Sequence, residues 1–350
     1  MLGLLLGGLY CAALVASLGA PLRGDEPYHF AQVHLFRIGD LRILDRYLTT
    51  IPGFHAVVAG VMAACGLDSP GAARAINAGF GLLAAAGFHA LRRRLWPGTE
   101  TIATAQFLAL PILSPLFFLV YTDVLALALI LWATIAALAG RHVLAALALV
   151  ALVLVRQNDV VWAAFIAALA AWPVLREQGD RDITRQLLAC WPYLVPIAVF
   201  CGFWAWNGSI SLSREQAAFH PLTLSLGNPC FALLLAAVLL PLQVSAGLGR
   251  FVRALRARPW LLALPLAGLA LYAFGFHADN PYNAAMPHHL PRNALLLKLD
   301  ADPAWRFAAG IAMMLAACGL GTVTLRPRAG VLLYPFAALF LAASWLIEQR

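Results

Sequence analysis

The stretch from residue 124 to residue 155 reads VLALALILWATIAALAGRHVLAALALVALVLV and contains one Lys, Arg, Asp or Glu residue, Arg141. A helix on the surface of a soluble protein keeps a polar face toward water, whereas this stretch offers apolar side chains all round. Gly140, Arg141 and His142 divide it into two apolar runs, 124–139 and 143–155. It therefore predicts two helices, joined by a short turn, that lie in apolar surroundings.

The whole chain of 350 residues shares this character. Hydrophobic residues make up 62% of it, charged residues 11%, and the mean hydropathy is +0.81. Soluble domains carry roughly 25% charged residues, so the composition excludes a soluble protein. The six cysteines are scattered without a Cys-x-x-Cys pair, which argues against a disulfide framework or a zinc site. We predict an all-α, polytopic membrane protein that forms one integral domain over 1–350.

A helix that crosses a bilayer needs about 20 apolar residues. The first apolar stretch lacks a basic region before it, and we interpret it as a retained span rather than a signal peptide, because the rest of the chain is equally apolar. The sequence predicts about 11 transmembrane helices, at 2–20, 72–91, 102–119, 124–139, 143–155, 160–174, 187–206, 228–246, 260–276, 304–323 and 330–347.

A further apolar stretch, 51–67, is interrupted by Pro52, Gly53 and Gly60. If it does not cross, the loops assigned to the cytoplasm hold 13 of the 24 Lys and Arg residues and 4 of the 16 Asp and Glu residues. Basic residues are retained on the cytoplasmic side, so this arrangement is preferred. We therefore interpret 51–67 as a re-entrant or juxtamembrane helix. Orientation in the bilayer also explains the net charge of +8 better than binding to nucleic acid.

The opposite, non-cytoplasmic face then collects most polar residues, and the loop 21–50 is its longest segment. Ionisable residues at a membrane boundary are costly unless they are paired or functional. We expect the catalytic residues to be Asp25, Glu26 and Arg156. The substrate-binding candidates are His29, Gln32, Asp123, Gln157, Asn158, Asp279, Asn280 and Arg292, with Lys298 as a further phosphate contact.

This set of residues suits sugar transfer from a lipid carrier. A carboxylate can take the proton of the attacking hydroxyl. Arginine presents a rigid fork of donors to a leaving phosphate, and we assign this role to Arg156. Direct attack needs one carboxylate and inverts the anomeric configuration. The amides of Gln157 and Asn158 are expected to bind sugar hydroxyls, together with Asp279.

Other interpretations stay open from the sequence alone. Adjacent acids such as Asp25 and Glu26 are often solvated, Asp123 could cap the helix that follows it, and Arg156 could form a structural ion pair with Asp159. The outer histidines do not have metal-ligand spacing, so we expect neither a metal nor another cofactor. A flippase or transporter of lipid-linked sugars is the alternative function, although such proteins place charges near the bilayer midplane.

Several motifs resemble one glycosyltransferase family, the dolichyl-phosphate-glucose α-1,2-glucosyltransferases. Asp25-Glu26-Pro27-Tyr28-His29, with Gln32 and the run 49–53, resembles the family's first lumenal loop. The run 156–162 is similar to its Arg-Gln-Thr-Asn-x-x-Trp segment. Weaker matches are Trp191-Pro192-Tyr193, Asn207-Gly208-x-Ile210, Ala278-Asp279-Asn280 and Glu348-Gln349-Arg350, and Pro281-Tyr282 replaces the family's Arg-His after the Asp-Asn pair.

The resemblance implies a GT-C-type fold in which 21–50 is the outer catalytic loop, and a polyprenyl- or dolichyl-phosphate sugar as donor. It implies transfer of a hexose, with glucose favoured, to a glycan or a lipid-linked acceptor. By analogy with GT-C enzymes it also points to an acidic residue of the first outer loop as the base, a role that we assign first to Asp25 and second to Glu26. Compact loops and a composition rich in Ala, Leu and Arg favour a bacterial relative in the inner membrane, or the endoplasmic reticulum for a eukaryotic chain. Membrane lipids are the other expected partners. The altered Asp-Asn motif also leaves a catalytically inactive scaffold as an alternative.

Overall fold

A computed structural model describes residues 2–176, 188–213, 227–276, 299 and 301–323. The chain divides into two compact units, 1–217 and 218–350. Within the described residues, every regular element is a helix, which confirms the all-α prediction. The predicted span 330–347 and the site candidates Asp279, Asn280, Arg292 and Lys298 lie outside the described residues.

The first unit is a set of helices joined by short turns. The α-helices described in it are α1 (Leu2–Leu18), α2 (Glu26–Arg37), α3 (Gly53–Ala64), α4 (Pro70–Leu95), α5 (Glu100–Leu108), α6 (Asp123–Leu138), α7 (His142–Val155), α8 (Val160–Arg176) and α9 (Leu194–Asn207). Short 3-10 turns lie at Ser114–Phe118, Gln157–Asp159 and Trp191–Tyr193.

Helix α4 is the longest element of this unit and packs against α1, α5 and α6. It begins where the Ser69 hydroxyl accepts a hydrogen bond from the Ala72 N–H at 3.1 Å, and Pro70 occupies its first turn. Both features are typical of a helix start. It ends at Leu95, just after three arginines, 92–94, that complement the negative end of its dipole. Thus the sequence itself marks both ends of the helix.

The core beside α4 shows why one predicted span was wrong. The stretch 102–119 does not form one helix, because α5 ends at Leu108 and the chain continues through a turn into Ser114–Phe118. Pro111 and Pro115 lie in this break, and proline cannot donate the backbone hydrogen bond that a continuous helix requires. Phe117 is fully buried there in a cluster with Phe107 and Val124.

The second unit contains α10 (Gly227–Leu239), α11 (Pro241–Ala257), α12 (Ala263–Gly275) and α13 (Pro303–Val323). The predicted span 228–246 is also broken, because α10 and α11 meet at an angle of 104°. Pro241 begins α11 at this bend and has no N–H to continue α10. Helix α11 lies directly on α13, since a Cβ added to Gly247 would collide with the Gly319 carbonyl oxygen.

Most of the described helices are shorter than a membrane span. Pro303–Thr322 is long and apolar enough to cross a membrane, and the bent pair Cys230–Leu239 with Pro241–Ala257 would be a second span if counted as one. The 16 residues of α6 rise about 24 Å, against roughly 30 Å for the hydrocarbon core. The 12 residues of α3, inside the stretch 51–67, rise about 18 Å. The helix lengths therefore do not confirm eleven spans.

Candidate functional site

The turn before α2 exposes the carboxylate of Asp25. Gly24 has φ +57°, and a Cβ at this position would lie 2.6 Å from Tyr121 Oη. The Asp25 N–H donates a hydrogen bond of 2.9 Å to that same hydroxyl oxygen. Asp25 precedes the first residue of α2, but its side chain makes no capping hydrogen bond. Tyr121 thus fixes the backbone of Asp25, and the carboxylate stays at the surface.

Glu26 points the other way and forms a buried ion pair with Arg74 of α4. The side chains are 0% and 1% exposed, and Arg74 Nη2 donates to Glu26 Oε2 at 2.6 Å while Nε donates to Oε1 at 2.9 Å. The backbone N–H groups of Arg23 and Val120 also donate to this carboxylate, each at 2.9 Å. Burial alone would raise the pKa of Glu26, but the hydrogen bonds and the charge of Arg74 hold it below its usual value.

Arg74 also binds the end of α1. Its Nη1 donates to the carbonyl oxygens of Ser17 and Ala20, both at 2.6 Å, and Nη2 donates to that of Pro21 at 3.0 Å. The last carbonyls of a helix lack partners within the helix, so a guanidinium is a suitable group to satisfy them. Arg74 therefore joins α1, α4 and the start of the 21–50 loop.

Gln32 fixes the far side of the same loop. It is fully buried, its Oε1 accepts from the Leu44 N–H at 2.7 Å, and its Nε2 donates to the Arg42 carbonyl oxygen at 3.0 Å. The sequence predicts Gln32 as a substrate ligand. In the structure its side-chain amide is instead hydrogen-bonded to the backbone of the irregular segment 38–52, which follows α2.

Arg156 lies between α7 and the 3-10 turn Gln157–Asp159 and faces two acids. Its Nη1 pairs with Asp123 Oδ1, and its Nε lies 3.7 Å from Asp159 Oδ2. Burial would lower the pKa of Arg156, but the two carboxylates raise it. Burial raises the pKa of Asp159 to about 6, against the charge of Arg156. The ion pair with Asp159 considered from the sequence is present, with Asp123 as a closer partner.

Gln157 and its neighbour Asn158 have different surroundings. Gln157 is 1% exposed, and its Nε2 donates to the carbonyl oxygens of Thr49 at 2.6 Å and Ile210 at 2.8 Å. Its Oε1 accepts from the Ile51 N–H at 3.0 Å. The amide therefore ties three backbone segments together, whereas the side chain of Asn158 is exposed.

His29 of α2 contacts both Tyr121 and His55. It lies four residues after Asp25, the N-cap residue of α2, and its backbone N–H donates to the Asp25 carbonyl oxygen at 3.1 Å. Its ring packs against Tyr121 with centroids 5.4 Å apart, and its Nδ1 is 2.9 Å from Nε2 of His55 in α3. Burial lowers the pKa of His29, and the charges of Asp25, Asp123 and Arg156 act on the same ring.

A short series of contacts connects Asp25, the candidate base, to Arg156, the candidate phosphate ligand. Asp25 bonds to Tyr121, Tyr121 lies two residues before Asp123, and Asp123 pairs with Arg156. The structure therefore brings Asp25, His29, Asp123 and Arg156 to one end of the first unit. Glu26, Gln32 and Gln157 lie beneath that end and hold its backbone.

An apolar groove opens beside the same loop. Its volume is about 360 Å³, and it runs between the end of α1 and the 3-10 turn Ser114–Phe118. Alanine, proline, phenylalanine and leucine side chains form most of its wall. Arg23 is its exposed charged group, because the Arg74 guanidinium is already paired with Glu26. A hydrocarbon chain with an anionic end has the chemistry to occupy such a groove.

Three residues of this region were not among the predicted site residues. Arg74 lies within the predicted span 72–91, where an arginine requires a buried partner and so gave a usable signal. Tyr121 and His55 gave no signal, because their roles depend on contacts with segments far away in the sequence. Among the described residues, no three His, Cys, Asp or Glu side chains are grouped to hold a metal ion.

Residues 23–188 match the sequence profile of the DIE2/ALG10 family, the dolichyl-phosphate-glucose α-1,2-glucosyltransferases. The match confirms the resemblance inferred from the motifs, and it contains Asp25, His29, Asp123 and Arg156. It indicates a glycosyltransferase of a membrane-embedded group that acts on lipid-linked oligosaccharide. No curated protein and no solved structure matches the chain.

Proposed function

We propose that the protein is an inverting hexosyltransferase, with glucose as the favoured sugar, that uses a polyprenyl- or dolichyl-phosphate sugar as donor. The acceptor is a glycan or a lipid-linked saccharide at the non-cytoplasmic face, and a bacterial inner membrane is the favoured location. The observation that carries the proposal is the connection of an exposed carboxylate, Asp25, to a guanidinium, Arg156, through Tyr121 and Asp123.

In this proposal Asp25 acts as the general base. The acceptor hydroxyl oxygen attacks the anomeric carbon, the bond from that carbon to the phosphate oxygen breaks, and Asp25 takes the hydroxyl proton. Its exposure leaves room for the acceptor, and its fixed backbone limits the positions that the carboxylate can adopt. Glu26 does not share this exposure, so we assign it to positioning Asp25 through the neighbouring backbone.

Arg156 stabilises the leaving phosphate. A guanidinium has five N–H donors, and the contacts with Asp123 and Asp159 involve one on Nη1 and the one on Nε. The donors on Nη2 form no ion pair within the described part of the chain, and in this proposal they bind phosphate oxygens. Because burial raises the pKa of Asp159 to about 6, this carboxylate is protonated more readily than an ordinary aspartate, and its protonation would reduce the negative charge beside Arg156. The exposed Asn158 is placed to bind a sugar hydroxyl.

The apolar groove supports a donor with a hydrocarbon tail. It lies next to Arg23 and Arg74, close in sequence and space to Asp25. A prenyl chain in the groove would bring the phosphosugar to the polar end of the unit. Gln32 and Gln157 are fully engaged by backbone groups, so we assign them to holding the walls of the site rather than to the sugar.

The test is transfer by purified protein in liposomes that contain polyprenyl-phosphate glucose. The acceptor is first identified by mass spectrometry of carrier-linked glycans from cells with and without the protein, as a difference of one hexose. Asp25→Asn should lower turnover by a factor of roughly 100 to 10,000 without loss of folded protein. Asp45→Asn, which changes an exposed carboxylate of the same loop, is the matched control and should retain turnover.

Full turnover by Asp25→Asn would refute the assignment of the base. Movement of the lipid-linked sugar across the liposome bilayer without any change in its glycan would instead indicate the flippase alternative, because transport does not need a general base.

A further inference from the structure

Two histidines, half-buried His29 of α2 and buried His55 of α3, form a pair, and His29 lies close to Asp25 in the chain. Nδ1 of His29 and Nε2 of His55 are 2.9 Å apart, and the ring centroids are 5.1 Å apart at an interplanar angle of 25°. His55 is 0% exposed. A hydrogen bond between two imidazoles needs a proton on one nitrogen and a lone pair on the other, so at most one of these two nitrogens carries hydrogen. The distance between the two nitrogens is that of an ordinary hydrogen bond from one imidazole to the other.

We assign the direction of this hydrogen bond from the surroundings of His55. Its second nitrogen, Nδ1, is buried without a partner that meets hydrogen-bond geometry, and the ring interacts with the backbone carbonyl of Pro52. A carbonyl oxygen can only accept, so it favours a proton on His55 Nδ1 and a lone pair on Nε2. His29 then donates from Nδ1, and its own Nε2 is left with a lone pair.

The lone pair of His29 lies in a mostly acidic environment. Its ring contacts Tyr121, and Asp25, the N-cap residue of α2, lies four residues earlier in the chain. Burial lowers the pKa of His29, which keeps the imidazole neutral and able to accept a proton at neutral pH. The charged groups that act on it are Asp25, Glu26, Asp123 and Arg156, three negative and one positive. These carboxylates would stabilise the imidazolium once it forms.

We propose that the His29–His55 pair receives the proton that Asp25 takes from the acceptor hydroxyl, and so returns Asp25 to its carboxylate form in each turnover. This inference rests on the proposed function. The O–H bond of the Asp25 carboxyl breaks, an N–H bond forms at His29 Nε2, and the positive charge is shared with His55 through the 2.9 Å hydrogen bond. The proton then leaves to solvent when the product departs. His55 is a positioning residue, because it acts through His29.

The experiment compares His55→Leu with His55→Gln. Leucine removes the acceptor of the hydrogen bond, whereas the glutamine carbonyl oxygen can still accept from His29 Nδ1. We expect His55→Leu to lower kcat about tenfold or more with little change in KM, and His55→Gln to recover most of the loss. The acidic limb of the kcat–pH profile should shift in His55→Leu, because the shared proton is lost. His34→Gln changes an exposed histidine of the same helix and should leave kcat and its pH profile unchanged.

Nitrogen-15 NMR of histidine-labelled wild-type protein tests the pair without turnover. We expect one histidine with its proton on Nδ1 and a hydrogen-bonded, unprotonated Nε2, and that signal should disappear in both His55 variants. Two histidines that titrate independently would overturn the proposal, as would a His55→Leu variant with the wild-type pH profile. If the wild type transfers no sugar but shows the paired signal, the proposed function fails while the pair itself stands. If sugar is transferred and the paired signal is absent, the relay alone fails.

Discussion

Removing the carboxylate of Glu26 should destabilise the first unit more than any other single change at its polar end. In Glu26→Leu the Arg74 guanidinium, 1% exposed, would be left without its counter-charge, and the buried N–H of Val120 would lose its acceptor. Breaking a buried, hydrogen-bonded ion pair by removing one partner costs about 3–5 kcal/mol. Because two charge-assisted bonds and two backbone bonds end on this carboxylate, we expect a value in the upper part of that range.

The measurement is equilibrium unfolding of purified protein in mixed micelles as the fraction of SDS increases, followed by tryptophan fluorescence. Glu26→Leu, Arg74→Met and the double variant form a double-mutant cycle. The double variant removes both charges, so it should be less destabilised than the sum of the singles by about 2–3 kcal/mol. Asp45→Leu, at an exposed carboxylate of the same loop, should change the stability by less than about 0.5 kcal/mol.

A loss below about 1 kcal/mol in Glu26→Leu, the size of a surface pair, would refute the buried ion pair. Strict additivity of the two single variants would do the same, because groups in direct contact should be coupled. Activity measured on the folded fraction tests whether Glu26 takes part in catalysis, apart from its effect on stability. If Glu26 only positions Asp25, the surviving protein should keep more turnover than Asp25→Asn.

Three further predictions concern the same end of the unit. Gly24→Ala places a Cβ 2.6 Å from Tyr121 Oη at a positive φ, and should cost about 1–3 kcal/mol in the micelle assay, with part of that loss recovered in a background of Tyr121→Phe. Gln157→Leu deletes three hydrogen bonds to buried or half-buried backbone and should cost about 2–4 kcal/mol, with faster hydrogen exchange at the Ile51 amide; unchanged exchange would contradict it. Because the folded-state pKa of Glu26 is lowered, its contribution to stability should be constant at neutral pH and disappear as the pH falls below about 4.5, and this slope should be absent in Glu26→Gln.

The sequence was most informative about which polar residues lie at the same end of the first unit. The composition predicts helices, and the positions of Asp25, Asp123 and Arg156 beside apolar runs predict one polar end. The structure brings these residues together through Tyr121. The predicted spans 102–119 and 228–246 are broken at prolines. Hydropathy averaged over a window does not detect such a break, because proline is apolar enough to stay within the stretch but lacks the backbone N–H that a continuous helix requires.

The sequence was least informative about which polar residues face substrate and which hold the fold. Glu26 and Asp25 are adjacent and chemically alike, yet one is buried and the other exposed. That difference depends on the direction in which α2 leaves the turn and on Arg74, 48 residues away. Gln157 likewise has the right chemistry for a sugar and is engaged by Thr49, Ile51 and Ile210 instead. Contacts between distant segments decide such roles, and no local pattern reports them.

The hydrogen bonds of Gln157 also determine where the first unit can be cut. The family match ends at residue 188, but the Gln157 amide donates to the Ile210 carbonyl oxygen. The N–H groups of Leu212 and Ser213 donate to the carbonyl oxygens of Thr49 and Leu48, respectively. A fragment truncated at the border of sequence similarity would therefore lack the strip of chain that closes over the 48–51 backbone. A fragment that ends after residue 213 keeps these closing bonds, so fragments for expression are better chosen by hydrogen bonding than by homology.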